Sequence, residues 1–396
     1  METLLVTCST FPRWKNDTIP SFVYELSRRL TDNYNIVILT PHAKGSKTFE
    51  KWNGMKIYRY RYFFNHFETL ADDAILPKLK KNPLLYIQLI CLIIAQFFAT
   101  KKIIKKEKVD KIQAHWILPQ GFIASIIHRY YDIPYHIVSH GGDIFGAKGM
   151  LFLHFKKIAL KNCRRASAVS NAIKKEIQRI CPTCTTDVIP MGIDTVKFTP
   201  GKSNEDIKNN LDIKGDMLLF VGRLSEKKGL EYLIKAMPTV LVKFPKSKLI
   251  VIGSGEEETK LKSLVDALNL SKNIILLGAV TNKNLAKYYS AADIFIGPSI
   301  QTKSGDMEGF GLVFAEAMAS GTLAIATDLP AIKDIIQDGT TGIIVKQKSI
   351  TDLSNKIINI LKNKKESKKI SDNGLKFIRS NFDWKIIAKR YMVHLH

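Results

Sequence analysis

The chain has 396 residues, 45% hydrophobic and 24% charged, which is enough length and apolar content for two globular domains and excludes a disordered or multi-spanning protein. Its 60 basic and 36 acidic residues give a formal charge of +24, divided as 29 basic and 15 acidic over residues 1–195 and 31 and 21 over the rest. The excess is therefore no basic tail, and such a field attracts anionic partners: phosphorylated substrates, acidic lipid or nucleic acid. Five cysteines, an odd number, provide no disulfide framework in a chain of this size and suit a reducing compartment.

The opening "METLLVTCST" lacks the basic and apolar regions of a signal peptide and reads as a buried strand. "NIVILT", "KIYRY", "KIQAHW", "YHIVSH", "RASAVS" and "DVIPM" follow as strands. Helical patterns fall between several of them, at "PSFVYELSRRL", 84–108 and "QGFIASIIHRYY". Overlapping 84–108, the apolar run 83–99 is bracketed by Lys78, Lys80 and Lys81 before it and Lys101, Lys102, Lys105 and Lys106 after it. It is slightly short for a membrane span, and two readings stand: a buried crossover helix, or a helix that also lies on anionic lipid. Cys181 and Cys184 form a lone C-P-T-C with no second pair or histidine cluster, and read as loop residues rather than a metal site.

Residues 190–206, rich in Pro, Gly and polar side chains, mark the junction. The second half repeats the alternation with strands at "MLLFVG", "KLIVIG", "NIILLG", "DIFIGPS", "LAIAT" and "GIIV". Amphipathic stretches separate them, and "FDWKIIAKRYMVHLH" closes the chain as a helix. Apolar strands alternating with helices predict two doubly wound, Rossmann-like α/β domains with parallel sheets.

In such sheets ligands gather at the carboxyl ends of the strands. After "MLLFVG" come Arg223 and Lys228, a fork and a point charge that suit a diphosphate, with a solvated basic loop as the plain alternative. After "KLIVIG" the G-S-G ending at Gly255 lacks the third glycine of a dinucleotide fingerprint, because position 258 is Glu258. After "DIFIGPS" comes "IQTKSGDMEGFG", then an apolar helix. The amides around Phe310, Gly311 and Leu312 are expected as unsatisfied first-turn donors facing the strand ends. Glu308 and Glu316 flank that turn. Carboxylates repel phosphate, so they are expected to hold hydroxyls while the amides and cations take the phosphates, the order of groups in a nucleotide sugar.

"GRLSEKKG", "GSG", "LGAV", "AADIFIGPS", "EGFGLVFAEAMASG" and "DIIQDGTTGIIV", with "AHWILPQG", "SHGGD" and "VIPMGID" in the first half, resemble family 4 retaining glycosyltransferases of the GT-B fold, those of bacterial and archaeal polysaccharide or glycolipid synthesis. The resemblance covers nearly the whole chain. It implies an N-terminal acceptor domain over 1–195 and a nucleotide-sugar domain over 196–378, the two facing across a cleft, with a helix over 379–396 crossing back to the first domain. It also implies that Arg223 and Lys228 bind the diphosphate, that Glu308 meets the donor sugar and Glu316 the ribose, and that Gly309, Phe310, Gly311 and Leu312 hold sugar and phosphate through the backbone. Gly255 and Asp143 join the donor site, and His140 of "SHGGD" lies near the reaction centre.

The chain departs from the family where "FPRWKNDTIPSF" replaces the usual Gly-Gly loop after the first strand. Trp14 and Lys15 there, with His115 and Trp116, are candidate acceptor contacts, against plain readings as surface loop and packed core. His42 and Asp293 read as structural residues.

The expected activity is retaining transfer of a sugar from a nucleotide diphosphate to a hydroxyl of a glycan or lipid-linked acceptor, with no metal or other cofactor. The lysine-flanked helix and basic first half place the expected enzyme on the anionic, cytoplasmic face of the cell membrane. A GT-B epimerase or phosphorylase is the neighbouring alternative. A nucleic-acid-binding protein would share the charge, but no zinc spacing, RNP-type motif or aromatic-interleaved basic stretch supports it.

Overall fold

The computed structural model describes every residue except 16, 18, 65, 73, 74, 202, 203 and 396, and no side chain at 77, 80, 204, 205, 282 or 283. Lys80, counted among the lysines beside the apolar run, thus has its side chain outside the described residues. The chain divides into two compact units, Met1–Met191 with Ile387–His396, and Gly192–Ile386.

The first unit holds strands β1 (Thr3–Thr7), β2 (Asn35–Pro41), β3 (Phe49–Trp52), β4 (Met55–Tyr60), β5 (Lys111–His115), β6 (Tyr135–Ser139), β7 (Arg165–Ala168) and β8 (Thr186–Val188). They form one sheet in the order β3-β4-β2-β1-β5-β6-β7-β8. All neighbours are parallel except the β3–β4 edge pair. Central strands such as β1, β5 and β6 are buried along their whole length, as a sheet covered on both faces requires. The edge strand β3 was not expected: "FEKW" is short, exposed at two of its four residues and carries two charges, which is how edges are kept from pairing with other chains.

The second unit holds β9 (Met217–Val221), β10 (Lys248–Ile252), β11 (Ile274–Gly278), β12 (Ile294–Gly297), β13 (Leu323–Thr327) and β14 (Ile343–Val345), all parallel in the order β11-β10-β9-β12-β13-β14. Leu233, Ile234 and Met237 of helix Leu230–Lys243 pack with Leu353 and Ile357 of helix Ile350–Lys362 over this sheet, all nearly or fully buried. The strand order reverses beside β9, which places the β9 and β12 loops at the switch point where α/β sheets bind ligands.

The unit boundaries differ from those expected. The first unit ends at Met191, and residues up to Ile386 belong to the second. The cause is local knitting: the amide of Ile193 donates to the carbonyl of Phe382 (2.7 Å) and that of Trp384 to Ile193 (3.1 Å). A Cβ at Gly192 would lie 2.4 Å from the Trp384 ring. The final helix, Trp384–Leu395, then joins the first unit from Ile387 onward, where Tyr391 donates to the carbonyl of Ile189 (3.0 Å) and His394 Nδ1 lies 3.1 Å from Asp187.

The apolar run forms helix Leu85–Glu107. Its inward face is partly polar: Gln88, Gln96 and Thr100 are buried beside Leu92 and Ile103. The side-chain oxygen of Gln88 accepts from the amides of Thr69 and Leu70, and that of Gln96 from the Tyr60 hydroxyl. Outward it shows Ile87, Ile90, Ile94 and Phe98, the last 61% exposed. This inverts the ordinary arrangement of a surface helix.

Candidate active site

In the second unit the loop after β9 turns through Arg223 and a short 3-10 turn, Glu226–Lys228, into helix Leu230–Lys243. Gly229 makes that turn at φ 63°, and a Cβ there would fall 2.0 Å from the carbonyl oxygen of Pro298. Only glycine lets the β9 loop press so closely on the loop after β12, and the contact sets Lys228 against that second loop.

There Lys228 is ion-paired with Glu308, and Lys227 Nζ lies 3.3 Å from Asp306. The carbonyl of Lys227 also accepts from the amide of Ile300 (2.8 Å). Burial pushes the Glu308 carboxyl up, but the charges of Lys228 and Lys227 and its hydrogen bonds outweigh this and hold it below its ordinary value. It is ionised at neutral pH. Arg223 Nε is 3.1 Å from Glu256.

The segment 300–307 is an ordered turn: the Asp306 amide donates to the Thr302 hydroxyl (3.1 Å), and the Gln301 amide to Gln347 (2.8 Å). It leads into helix Leu312–Ala319. Among the described residues no acceptor meets the amides of Phe310, Gly311 or Leu312, so the helix start offers three free donors. The Phe310 side chain is itself buried, 5.9 Å between centroids from Phe382, which leaves its backbone as the usable part. Glu316, in the second turn of the helix, accepts from the hydroxyl of the fully buried Tyr289 (2.9 Å). Burial, only partly offset by that bond and by Lys197, raises Glu316 to about 7.

Gly255 is accounted for by packing. A Cβ there would lie 2.3 Å from the carbonyl oxygen of Leu224, and the amides of Leu224 and Glu257 tie the β9 and β10 loops together. The glycine permits two loops to touch, and its expected donor contact is not needed to explain it.

In the first unit, His140 follows β6 and His115 ends β5. His140 Nε2 is 2.9 Å from His115 Nδ1, and the rings of Phe22 and Trp116 flank His140, each at 4.8 Å between centroids. Burial takes His115 down to about 3; burial and then the neighbouring His115 put His140 well below the ordinary histidine value. Both are neutral.

Trp116 sits at φ 78°, a strained backbone for a bulky residue, held by its amide's bond to Val138 (2.7 Å) and its carbonyl's bond from Gly121 (3.1 Å). Asp143 is buried and accepts from the Ile117 amide (2.7 Å), the Ser139 hydroxyl (3.1 Å) and the Gly141 amide (3.1 Å).

Asp143, expected at the donor, is buried, and its carboxylate clamps the loops after β5 and β6 together. Of the two readings of His115, the fully buried side chain fits the packed core and not an acceptor contact. Trp14 and Lys15 are exposed, Arg13 stacks on Trp14 (4.4 Å), and the Arg13–Asp17 pair (2.7 Å) stiffens their loop. His42 is a structural residue, bound to Glu68 (2.7 Å) and the carbonyl of Ser46 (3.1 Å).

Lys227, Asp306 and Tyr289 were not anticipated as parts of the site. Their partners lie far along the chain or in an irregular loop, and no local pattern announces such pairs.

Two parallel, doubly wound α/β units, the second with cations, free amides and carboxylates at its strand ends, have the architecture of GT-B glycosyltransferases. The structure of Anabaena HepE in complex with UDP-glucose superimposes with a TM-score of 0.79 over 100% of this chain and 99% of that one, at 16% identity. Residues 201–377 match the family described as glycosyl transferases group 1, and residues 19–197 match glycosyltransferase family 4. Each half of the chain thus matches a glycosyltransferase family, and the chain is a glycosyltransferase.

An uncharacterized glycosyltransferase of Methanocaldococcus jannaschii is 28% identical over 357 residues, 86% of this chain and 84% of the relative. A GDP-mannose-dependent monoacylated alpha-(1-6)-phosphatidylinositol monomannoside mannosyltransferase of Corynebacterium glutamicum is 30% identical over 212 residues, 52% of this chain and 55% of the relative.

Proposed function

We propose that the chain is a retaining glycosyltransferase that moves a sugar from a nucleotide diphosphate to a hydroxyl of a lipid-linked acceptor, at the cytoplasmic face of the cell membrane, in the synthesis of a cell-surface polysaccharide or glycoconjugate. The observation that carries this reading is the pairing of Lys228 with Glu308 beside three free helix-start amides. A nucleotide sugar placed there has its diphosphate met by Lys228, Arg223 and the amides, its sugar hydroxyls by Glu308 and its ribose by Glu316. Charge on the departing diphosphate is stabilised by groups already in place, and this supplies neutralisation without a resident metal. Front-face departure and attack is the course the family resemblance implies, with the leaving phosphate accepting the acceptor's proton.

The lipid-linked acceptor is supported by the corynebacterial relative, whose name describes a phosphatidylinositol mannoside acceptor, and by the outward apolar face of helix Leu85–Glu107. That face runs into the exposed Lys102, Lys105 and Lys106, an order that suits acyl chains bordered by anionic headgroups.

A panel of UDP-, GDP- and ADP-sugars read by thermal shift, followed by NMR of the product's anomeric centre, tests the reading. One donor is expected to stabilise the protein, and the product to keep the donor's anomeric configuration. An inverted product would overturn the retaining assignment. Stabilisation that is unchanged by EDTA is expected, and its loss on chelation would overturn the metal-free one.

A further inference from the structure

Two neutral imidazoles whose nitrogens stand 2.9 Å apart must share one proton between them, and two arrangements are open. In the first, His115 carries its proton on Nδ1 and donates to Nε2 of His140. The buried Nε2 of His115, which has no hydrogen-bond partner among the described residues, is then a bare lone pair. In the second, His140 donates from Nε2, and His115 must carry its own proton on Nε2. That leaves an N–H buried without an acceptor, the rarer defect in folded proteins. The first arrangement is therefore favoured.

Everything else about His140 is already fixed. Its ring is flanked by Phe22 and Trp116, and its loop is held by the Asp143 clamp. Its Nδ1 has no partner among the described residues, and the side chain is only partly buried. The tautomer is the one remaining variable.

We propose that His115 is a positioning residue that sets this tautomer: its Nδ1–H donates to Nε2 of His140, so that His140 presents Nδ1–H as a neutral hydrogen-bond donor to a sugar or phosphate oxygen bound at the strand ends of the first unit. His140 then acts by orienting an oxygen and supplies no proton to the reaction. Burial keeps both rings neutral through the working pH range. The ligand's identity as a sugar or phosphate rests on the glycosyl-transfer reading; the tautomer itself does not.

The test is nitrogen-15 NMR of the full chain labelled at histidine, with His115→Asn, His115→Leu and His140→Asn used for assignment. Expected in the wild-type protein are a protonated Nδ1 and a pyridine-type Nε2 in His140, with a protonated Nδ1 in His115. A proton on Nε2 of His140 overturns the proposal. In kinetics, His115→Leu is expected to lower kcat about tenfold, the scale of one lost hydrogen bond, with KM for the nucleotide sugar nearly unchanged. His115→Asn, whose amide nitrogen stands where Nδ1 stood, is expected to restore most of the rate. Equal rates in wild type and His115→Leu contradict the role. If the leucine variant does not fold, the wild-type spectrum and the asparagine variant decide. The expected spectrum in a protein that transfers no sugar supports the tautomer while overturning the proposed activity.

Discussion

Lys228 and Glu308, 80 residues apart in the chain, form an ion pair at the strand ends of the second unit, and one step earlier Lys227 reaches Asp306. A lysine expected to meet phosphate and a glutamate expected to meet sugar are thus each other's partners. Each holds the other's position, and a ligand entering there takes over contacts that already exist.

Removing either partner removes both functions. Lys228→Ala and Glu308→Ala are each expected to lower turnover about a hundredfold or more, as for other preorganised charge contacts. The folds are retained, with a stability loss of about 1–3 kcal/mol for the partner left unpaired. A double-mutant cycle on donor transfer should show strong coupling, with the double variant little worse than either single one. Near-normal rates in both single variants would contradict the assignment.

Glu316 carries a pH signature. Its pKa is raised to about 7 by burial, so the folded state favours the protonated form more than the unfolded chain does. Its contribution to stability is complete below pH 4.5 and is lost as pH rises through about 7. Glu316→Gln, which mimics the protonated form, should therefore match wild type in Tm at low pH and exceed it above pH 7. The gap is expected to reach roughly 2–3 kcal/mol. A gap independent of pH would show that the carboxyl is not buried as described.

Tyr289 turns Glu316 by a single hydroxyl (2.9 Å). Tyr289→Phe keeps the ring and its packing against Phe198 and Phe295 while freeing the carboxylate. Affinity for the nucleotide sugar is expected to fall several-fold, with kcat less affected. Isothermal titration of the donor found in the panel measures this, and unchanged affinity would separate Glu316 from the ribose.

The outward face of helix Leu85–Glu107 predicts binding to vesicles rich in anionic lipid and weak binding to neutral ones. Ile90 and Ile94 are 59% and 51% exposed, so Ile90→Ser with Ile94→Ser should leave the fold intact and reduce vesicle binding about tenfold or more. Equal sedimentation of wild type and the double variant would contradict a lipid-facing role.

Much of this was readable from the residues. Parallel strands buried on both faces leave continuous apolar runs, and all thirteen anticipated strands are present. Helix Asn171–Ile180 was overlooked although Ser170 caps it and Ile173, Ile177 and Ile180 line one face. Helix Ile350–Lys362 carries the same signal in Ser349. The clamp made by Asp143 was not readable, because it depends on which loops the sheet brings together, and for the same reason His115 stood open between core and acceptor. Gly255 stands open for a related reason: a glycine that admits a phosphate and one that admits a neighbouring loop look the same in a sequence.

Transfer of a sugar from a nucleotide diphosphate to a lipid-linked acceptor is measured most directly by mass spectrometry of membrane lipid extracts incubated with the purified chain and isotopically labelled UDP-, GDP- and ADP-sugars. One labelled sugar is expected on a lipid-linked species, with stoichiometric release of the nucleoside diphosphate and no product from Lys228→Ala. A labelled donor that is epimerised, or cleaved with no sugar reaching any lipid or glycan, would contradict it.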